Sequence, residues 1–204
     1  MHPAIGILVA YALGSIPAAL LAGKLAGGID LRTHGSGNLG ATNVLRTLGP
    51  VVAAPVLLFD VLKGALPVMV LPAWMPAMRP DLWAIGYGIA AIVGHVRPVF
   101  LRGRGGGKGV ATTAGVIAAL APLPFAISFG IFATVVGVTR YVSLGSIVAA
   151  GTLPLVLLLQ RPIAPALVGF GVFIACFVLW THRANIGRLV RGEESRIGRR
   201  PERA

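Results

Sequence analysis

The chain has 204 residues, of which 56% are hydrophobic and only 12% charged, and its mean hydropathy is +0.85. So few charged side chains cannot cover a soluble domain of this size, which excludes an ordinary cytosolic domain, a disordered chain and a soluble basic nucleic-acid binder. Eighteen Lys and Arg against six Asp and Glu give a net charge of +12, and the positives fall between apolar runs, as in an integral membrane protein.

The first run, Pro3–Gly23, is uncharged. It lacks a basic start and a cleavage site and reads as a retained helix rather than a signal peptide. Val51–Leu71 follows, interrupted by Asp60 and Lys63. Ionisable groups in such a span should pair, and their i, i+3 spacing predicts an ion pair. Leu82–Val96 ends in His95, Val110–Thr139 carries Pro122 and Pro124, and Tyr141–Gln160 and Pro162–Thr181 complete the runs. The only cysteine, Cys176, is expected to pack in the core. Residues 183–204 read as a basic cytoplasmic tail. No soluble domain stands apart, so residues 1–204 are expected to form one membrane domain.

The run 110–139 decides the topology. Crossing once, it leaves Lys and Arg almost evenly split between the two sides. Folding back at Leu120–Phe125, it puts fifteen of them on one side and leaves only Arg79 and Arg161 on the other. The positive-inside rule selects the second arrangement, with the N-terminus outside and the C-terminus in the cytoplasm. Two helices of about 15 residues each span only ~22 Å against a ~30 Å hydrocarbon core. The fold class is therefore an all-α polytopic membrane bundle, either of about seven transmembrane helices or of five plus a re-entrant helical hairpin.

Three polar stretches share the cytoplasmic side in this topology. In the first, residues 34–46, Ser36 or Asn38 can cap a short helix that Gly49-Pro50 would end. Asn43 and Arg46 lie three apart, and Thr42 and Arg46 four apart, on one face of that helix. A helix start with an arginine one turn along suits a phosphate, although a capped interfacial helix with a snorkelling arginine fits the same residues. The second, residues 94–112, holds Gly105, Gly106 and Gly107 before Lys108 and opens onto a helix. Small residues let backbone N–H groups converge on an anion and the lysine adds a point charge. It is not a Walker A loop, because Arg102 and Gly109 stand where Gly and Ser/Thr are required. A basic loop against anionic lipid is the plainer alternative. The third stretch sets His182, Asn185 and Arg188 at helical spacing, which also suits a basic flank of the last helix. There is no Cys/His metal spacing and no Gly-x-Ser-x-Gly elbow. The remaining Arg, Lys, His, Asn, Ser and Gly can bind phosphates and stabilise an oxyanion without a metal.

Gly35-Ser-Gly-Asn-Leu-Gly-Ala-Thr-Asn-Val-Leu-Arg46, Gly94-His-x-x-Pro-Val-Phe100 with Gly106-Gly-Lys-Gly-Val-Ala-Thr112, and His182-Arg-x-Asn-Ile-x-Arg-Leu-x-x-Gly-x-Glu resemble, in order, the three motifs of the bacterial acyl-phosphate:glycerol-3-phosphate acyltransferases, the PlsY family. Gly14-Ser-Ile-Pro17 and Asp60-x-x-Lys-Gly64 match as well, whereas Gly103-Arg104 replaces the family's more usual aromatic-basic pair. The resemblance implies acyl transfer from acyl phosphate to the 1-hydroxyl of sn-glycerol 3-phosphate, the first acylation of bacterial phospholipid synthesis. It implies no metal, no cofactor, no acyl-CoA and no nucleic acid. It also implies a multi-pass protein of the bacterial inner membrane, among membrane lipids, with a cytoplasmic active site; a monomer is expected. Carried onto this chain, it makes Ser36, Arg46, Lys108, His182 and Asn185 phosphate ligands. Gly105, Gly106 and Gly107 would steady the acyl phosphate, and Asn38, Thr42, Asn43, Thr112 and Arg188 would orient substrate or its ligands. His95, His182 or a substrate phosphate would remove the hydroxyl proton. A phosphate-ester transporter and a lipid-binding scaffold are the rival readings; no paired inverted halves favour the former.

Overall fold

The computed structural model describes residues 2–198. Among these the chain is all-helical, with ten α-helices and one short 3-10 turn. They form two compact units, Met1–Pro122 and Leu123–Ala204.

In the first unit, α1 (Pro3–Gly14) and α2 (Ala18–Gly27) form one apolar stretch broken at Ser15–Pro17. Pro17 has no N–H, and its ring opposes the carbonyl four residues back, so the helix stops there. Ser15 bridges the break: its hydroxyl donates to the Tyr11 carbonyl at 2.7 Å and accepts from Val99 N–H at 3.1 Å. α3 (Ala41–Leu48) is short, and α4 (Pro50–Trp74) runs 25 residues through three internal prolines. α5 (Pro80–Val96) leads through the 3-10 turn at Val99–Leu101 and a glycine-rich loop into α6 (Val110–Leu120).

Two seams hold these helices close. Gly64 of α4 faces the Thr112 carbonyl of α6, and Gly115 of α6 faces the Val61 carbonyl of α4. Gly14 and Gly94 do the same between α1 and α5, against Ala91 and the Tyr11 carbonyl. A Cβ at any of the four would strike neighbouring backbone. Small residues of this kind let helix backbones approach where lipid supplies no hydrophobic drive.

The second unit contains α7 (Pro122–Thr139) from its second residue on, α8 (Val142–Leu158), α9 (Pro165–Thr181) and α10 (Arg183–Val190). Gly145 of α8 admits Phe132 and Val136 of α7, and Gly171 of α9 admits Leu157 of α8. α9 and α10 meet at a 62° bend at His182.

The apolar stretch 110–139 is two helices, parted at Ala121 within the expected break region. They are unequal, with 11 and 18 residues instead of about 15 each. Four helical stretches among the described residues are long and apolar enough to cross a membrane, and five if the bent α9–α10 pair is one span. α6 and α8 are shorter apolar helices, so the seven expected spans are not all matched by length. One expectation is corrected. Cys176 is exposed on α9 rather than packed, because an apolar side chain facing lipid need not be buried. Residues 183–190 at the start of the expected tail are helical, in keeping with the spacing of His182, Asn185 and Arg188, and Glu194 is buried. Arg199, Arg200 and Arg203 of that tail lie outside the described residues.

Gly115→Val should lower stability by about 2 kcal/mol by overpacking the α4–α6 seam. Gly137, on α7 with nothing within 4 Å of an added Cβ, should accept alanine without loss. Thermal unfolding of both variants in detergent checks the contrast.

Candidate active site

Asn43 shapes the first polar loop. Its side chain is 1% exposed. Its Oδ1 accepts from Ser36 N–H at 2.9 Å, and its Nδ2 donates to the carbonyls of His34 at 3.0 Å and Leu31 at 3.2 Å. Gly35, at φ +60°, turns the chain over this amide, a conformation that needs glycine. The loop thus carries Ser36 to the surface and leaves Asn38 half-buried. Neither residue caps α3. The cap is Gly40, whose extended backbone precedes the helix. Thr42 is half-buried and Arg46 exposed, whereas Asn43 of the same expected face turns inward and spends its amide on the loop. Beside it, Arg32 grips Asp30 in an exposed ion pair, and these hydrogen bonds hold the Asp30 carboxyl down to about 2.

The second loop lies flat on the end of α5. Tyr11 donates to the Arg97 carbonyl at 2.8 Å and fixes its root. Gly106 passes where a Cβ would strike the carbonyls of His95 and Val96, and Gly107 passes where one would strike the His95 ring and the Leu39 carbonyl. Gly107 N–H donates to the His95 carbonyl at 3.2 Å. Of the three N–H groups expected to steady an anion, this one is therefore committed to the protein. Gly105 packs near the Arg32 stem, 3.2 Å from Cδ to an added Cβ. The first two polar stretches are thus brought together, through Leu39 against Gly107 and Arg32 against Gly105. Lys108 is half-buried at the loop's end, one residue before the left-handed Gly109 that opens α6. Thr112, expected to orient substrate, is fully buried in the α4–α6 seam. A cleft below the loop is lined by Ser15, Leu39, Lys63, His95, Gly106 and Gly107. Asp60 and Lys63 form the expected ion pair, and His95 stands beside it, its Nδ1 3.6 Å from Asp60 Oδ1. Sequence reading saw a pair and missed the third member, since α4 and α5 meet only in the fold.

The second unit gathers the third polar stretch around Glu194. Its Oε1 accepts from Asn185 Nδ2 at 2.6 Å and from the Ser143 hydroxyl at 2.8 Å, and its Oε2 accepts from Arg188 Nε at 2.8 Å. Burial alone would raise this carboxyl; the three donors outweigh it and hold Glu194 below its usual 4.5. His182 is 2% exposed, and its Nδ1 meets the Val178 carbonyl at 2.9 Å. A carbonyl only accepts, so Nδ1 carries the proton. The sequence offered the motif's final glutamate but no sign of its role, and Ser143 gave no signal at all.

A depressed carboxyl contributes stability above its unfolded value and loses it as pH falls through the folded value. The wild type should therefore lose unfolding temperature below about pH 4.5 more steeply than Glu194→Gln. Glu194→Ala should cost about 3 kcal/mol at pH 7 by stranding buried donors. Unfolding scans across pH check both.

Residues 4–192 match the family model described as glycerol-3-phosphate acyltransferase. The glycerol-3-phosphate acyltransferase of Geobacter sulfurreducens is 48% identical over 190 residues, covering 93% of this chain and 94% of that one. That of Trichlorobacter lovleyi is 49% identical over 188 residues, covering 92% and 94%. The crystal structure of PlsY, an integral membrane glycerol 3-phosphate acyltransferase, in its glycerol 3-phosphate form superposes with a TM-score of 0.88 at 36% identity, covering 96% of both chains. Its lysophosphatidic acid form gives 0.85 at 34% identity, covering 96% of this chain and 95% of that one. A helical, multi-pass membrane fold, three polar motifs in order and near-complete coverage by these relatives agree: this chain belongs to the glycerol-3-phosphate acyltransferase family.

Proposed function

We propose that this protein transfers a fatty acyl group from acyl phosphate to the 1-hydroxyl of sn-glycerol 3-phosphate, giving 1-acyl-sn-glycerol 3-phosphate and inorganic phosphate. The observation that carries the reading is the contact between the loops bearing Ser36 and Lys108, which sets a serine hydroxyl and a half-buried lysine on adjoining backbone rich in N–H groups. The family supports the acceptor: the similar PlsY was crystallised in a glycerol 3-phosphate form and a lysophosphatidic acid form.

Ser36, Arg46 and Lys108 bind phosphate in this reading, with Gly105 and Gly106 N–H groups steadying the acyl phosphate and the developing oxyanion. Within the second unit, His182 and Asn185 are the phosphate ligands that the family resemblance implies, and the Asn185 amide is oriented by Glu194. Asn43 holds the Ser36 loop, and Thr112 acts through the packing of α6. The acceptor hydroxyl oxygen bonds to the acyl carbon, the bond from that carbon to the phosphate oxygen breaks, and the hydroxyl proton ends on the departing phosphate. Acyl phosphate is a mixed anhydride, so its phosphate leaves without strong acid help. Alignment and charge neutralisation then supply most of the acceleration. The reading needs no metal. It places the site on the cytoplasmic face of the bacterial inner membrane, with the N-terminus outside and about seven spans, on the strength of the Lys/Arg asymmetry.

Purified protein in detergent, given palmitoyl phosphate and radiolabelled glycerol 3-phosphate, should form labelled lysophosphatidate. Lys108→Ala should lower the rate by at least about a hundredfold, the scale of one lost oxyanion contact. Palmitoyl-CoA should give no product. Folded protein that makes none from either donor would refute the reading and favour a transporter.

A further inference from the structure

The roles above leave out the most deeply buried charges of the first unit. Asp60 and Lys63 face each other on α4 at 2.6 Å, with side chains 2% and 3% exposed. Desolvation at such depth costs as much as the attraction returns, so apolar side chains of the same volume would pack the helix as well. What the pair touches gives it a purpose. Lys63 Nζ donates to the Ile16 carbonyl at 3.0 Å, at the break between α1 and α2. Asp60 Oδ1 lies 3.6 Å from Nδ1 of His95, a side chain 5% exposed on α5. That separation is just beyond a hydrogen bond, and Nδ1 has no other hydrogen-bond partner among the described residues. His95 in turn meets the glycine loop twice. Its carbonyl accepts from Gly107 N–H, and its Nε2 edge fills the place that a side chain on Gly107 would need.

We propose that Asp60, fixed by Lys63, is a positioning residue that sets the His95 ring and, through it, the path of the backbone at Gly105–Gly107. The inference rests on the acyl transfer proposed above, since a fixed path matters for the reaction only if the loop's N–H groups meet the acyl phosphate. With Nδ1–H directed at Asp60, the ring presents the lone pair of Nε2 to the loop. Lys63 does two things at once: it neutralises the carboxylate and ties it to the helix break, so the carboxylate cannot swing away from His95. His95 works here as a support for the loop. Lys63, His95, Gly106 and Gly107 line a single cleft, as this coupling requires.

Asp60→Asn alone strands the Lys63 charge, so the informative variant is Asp60→Asn with Lys63→Gln, which leaves the place neutral and similar in volume. Three quantities are read in detergent: unfolding temperature, amide hydrogen exchange across residues 103–109, and kcat and KM for palmitoyl phosphate at saturating glycerol 3-phosphate. The double variant should melt within a few degrees of the parent. Its loop should exchange at least about tenfold faster while α4 keeps its protection. Its kcat/KM for palmitoyl phosphate should fall about tenfold, mostly through KM. His95→Ala should produce the same loop exchange, and adding it to the double variant should cost nothing further. A folded double variant with parental loop exchange overturns the proposal, and so does faster exchange with kcat/KM unchanged. If the double variant does not fold, His95→Ala alone decides: parental loop exchange there overturns it. A parent that makes no lysophosphatidate defeats the acyl-transfer reading instead, and the exchange measurements still decide whether Asp60 and His95 hold the loop.

Discussion

Polar groups placed among apolar helices must find their partners inside the protein, because lipid offers none. In the first unit this requirement converges on α4. The helix break at Ser15–Pro17 leaves backbone groups that a continuous helix would have used. Ser15 meets part of that need by serving Tyr11 and Val99, and Lys63 reaches across from α4 to the Ile16 carbonyl. The lysine can be there only because Asp60 neutralises it, and Asp60 in turn stands beside His95. One buried pair therefore links α1, α4 and α5 at the level where the glycine-rich loop begins. Removing either charge would expose the other to the full penalty of an unpaired buried ion.

Close approach of helices is the second condition. The loops can lie flat on the helix ends only if those ends are near one another. Gly64 and Gly115 bring α4 against α6, and Gly14 and Gly94 bring α1 against α5. The glycines of the loop itself serve the same end. Gly106 and Gly107 are small because the backbone passes directly over His95 and Val96, with Leu39 on the other side. A pattern that reads as an anion cradle is thus also a packing surface, and the Gly107 N–H is spent on the His95 carbonyl.

The fold was legible in the sequence where single-residue chemistry decides it. Uncharged runs marked the membrane helices, prolines marked the breaks, and the i, i+3 spacing of Asp60 and Lys63 implied their pairing. Local signals went astray where tertiary contacts outbid them. Ser36 and Asn38 are good capping residues, yet α3 starts later at Gly40, because Asn43 draws the Ser36 backbone onto its own amide. Asn43 looked like a ligand for the same reason that it makes a good clamp: an amide can donate and accept at once. Lipid also erases the usual inference from apolar to buried, which is how Cys176 came to be misplaced. Contacts across long sequence separations left no local trace, as for Glu194 with Ser143 or Asp60 with His95.

The carboxylates finally constrain the chemistry. Each one among the described residues is engaged by Lys or Arg: Asp30 by Arg32, Asp60 by Lys63, Asp81 by Arg79, Glu193 by Arg191 and Glu194 by Arg188. A carboxylate held in this way is a weaker base than a free one, because the cation stabilises its ionised form. Asp30 shows the effect in a carboxyl held down to about 2 by Arg32, and at Glu194 hydrogen bonds from Asn185 and Ser143 act before that of Arg188 to hold the carboxyl below its usual value. The acids thus anchor cations and orient amides, and they are poorly suited to taking a proton from an alcohol. In the proposed reaction that task falls to an imidazole or to the substrates' own phosphates. With Nδ1–H of His182 directed at the Val178 carbonyl, Nε2 is the basic atom of that ring, whereas His95 is enclosed between Asp60 and Gly107. Phosphate oxygens, brought in by the substrates and gathered by cations, are the most plentiful bases such a site would contain. The division of labour in the proposed reaction follows from composition: eighteen basic side chains against six acidic ones favour a site that holds anions and takes its base from them.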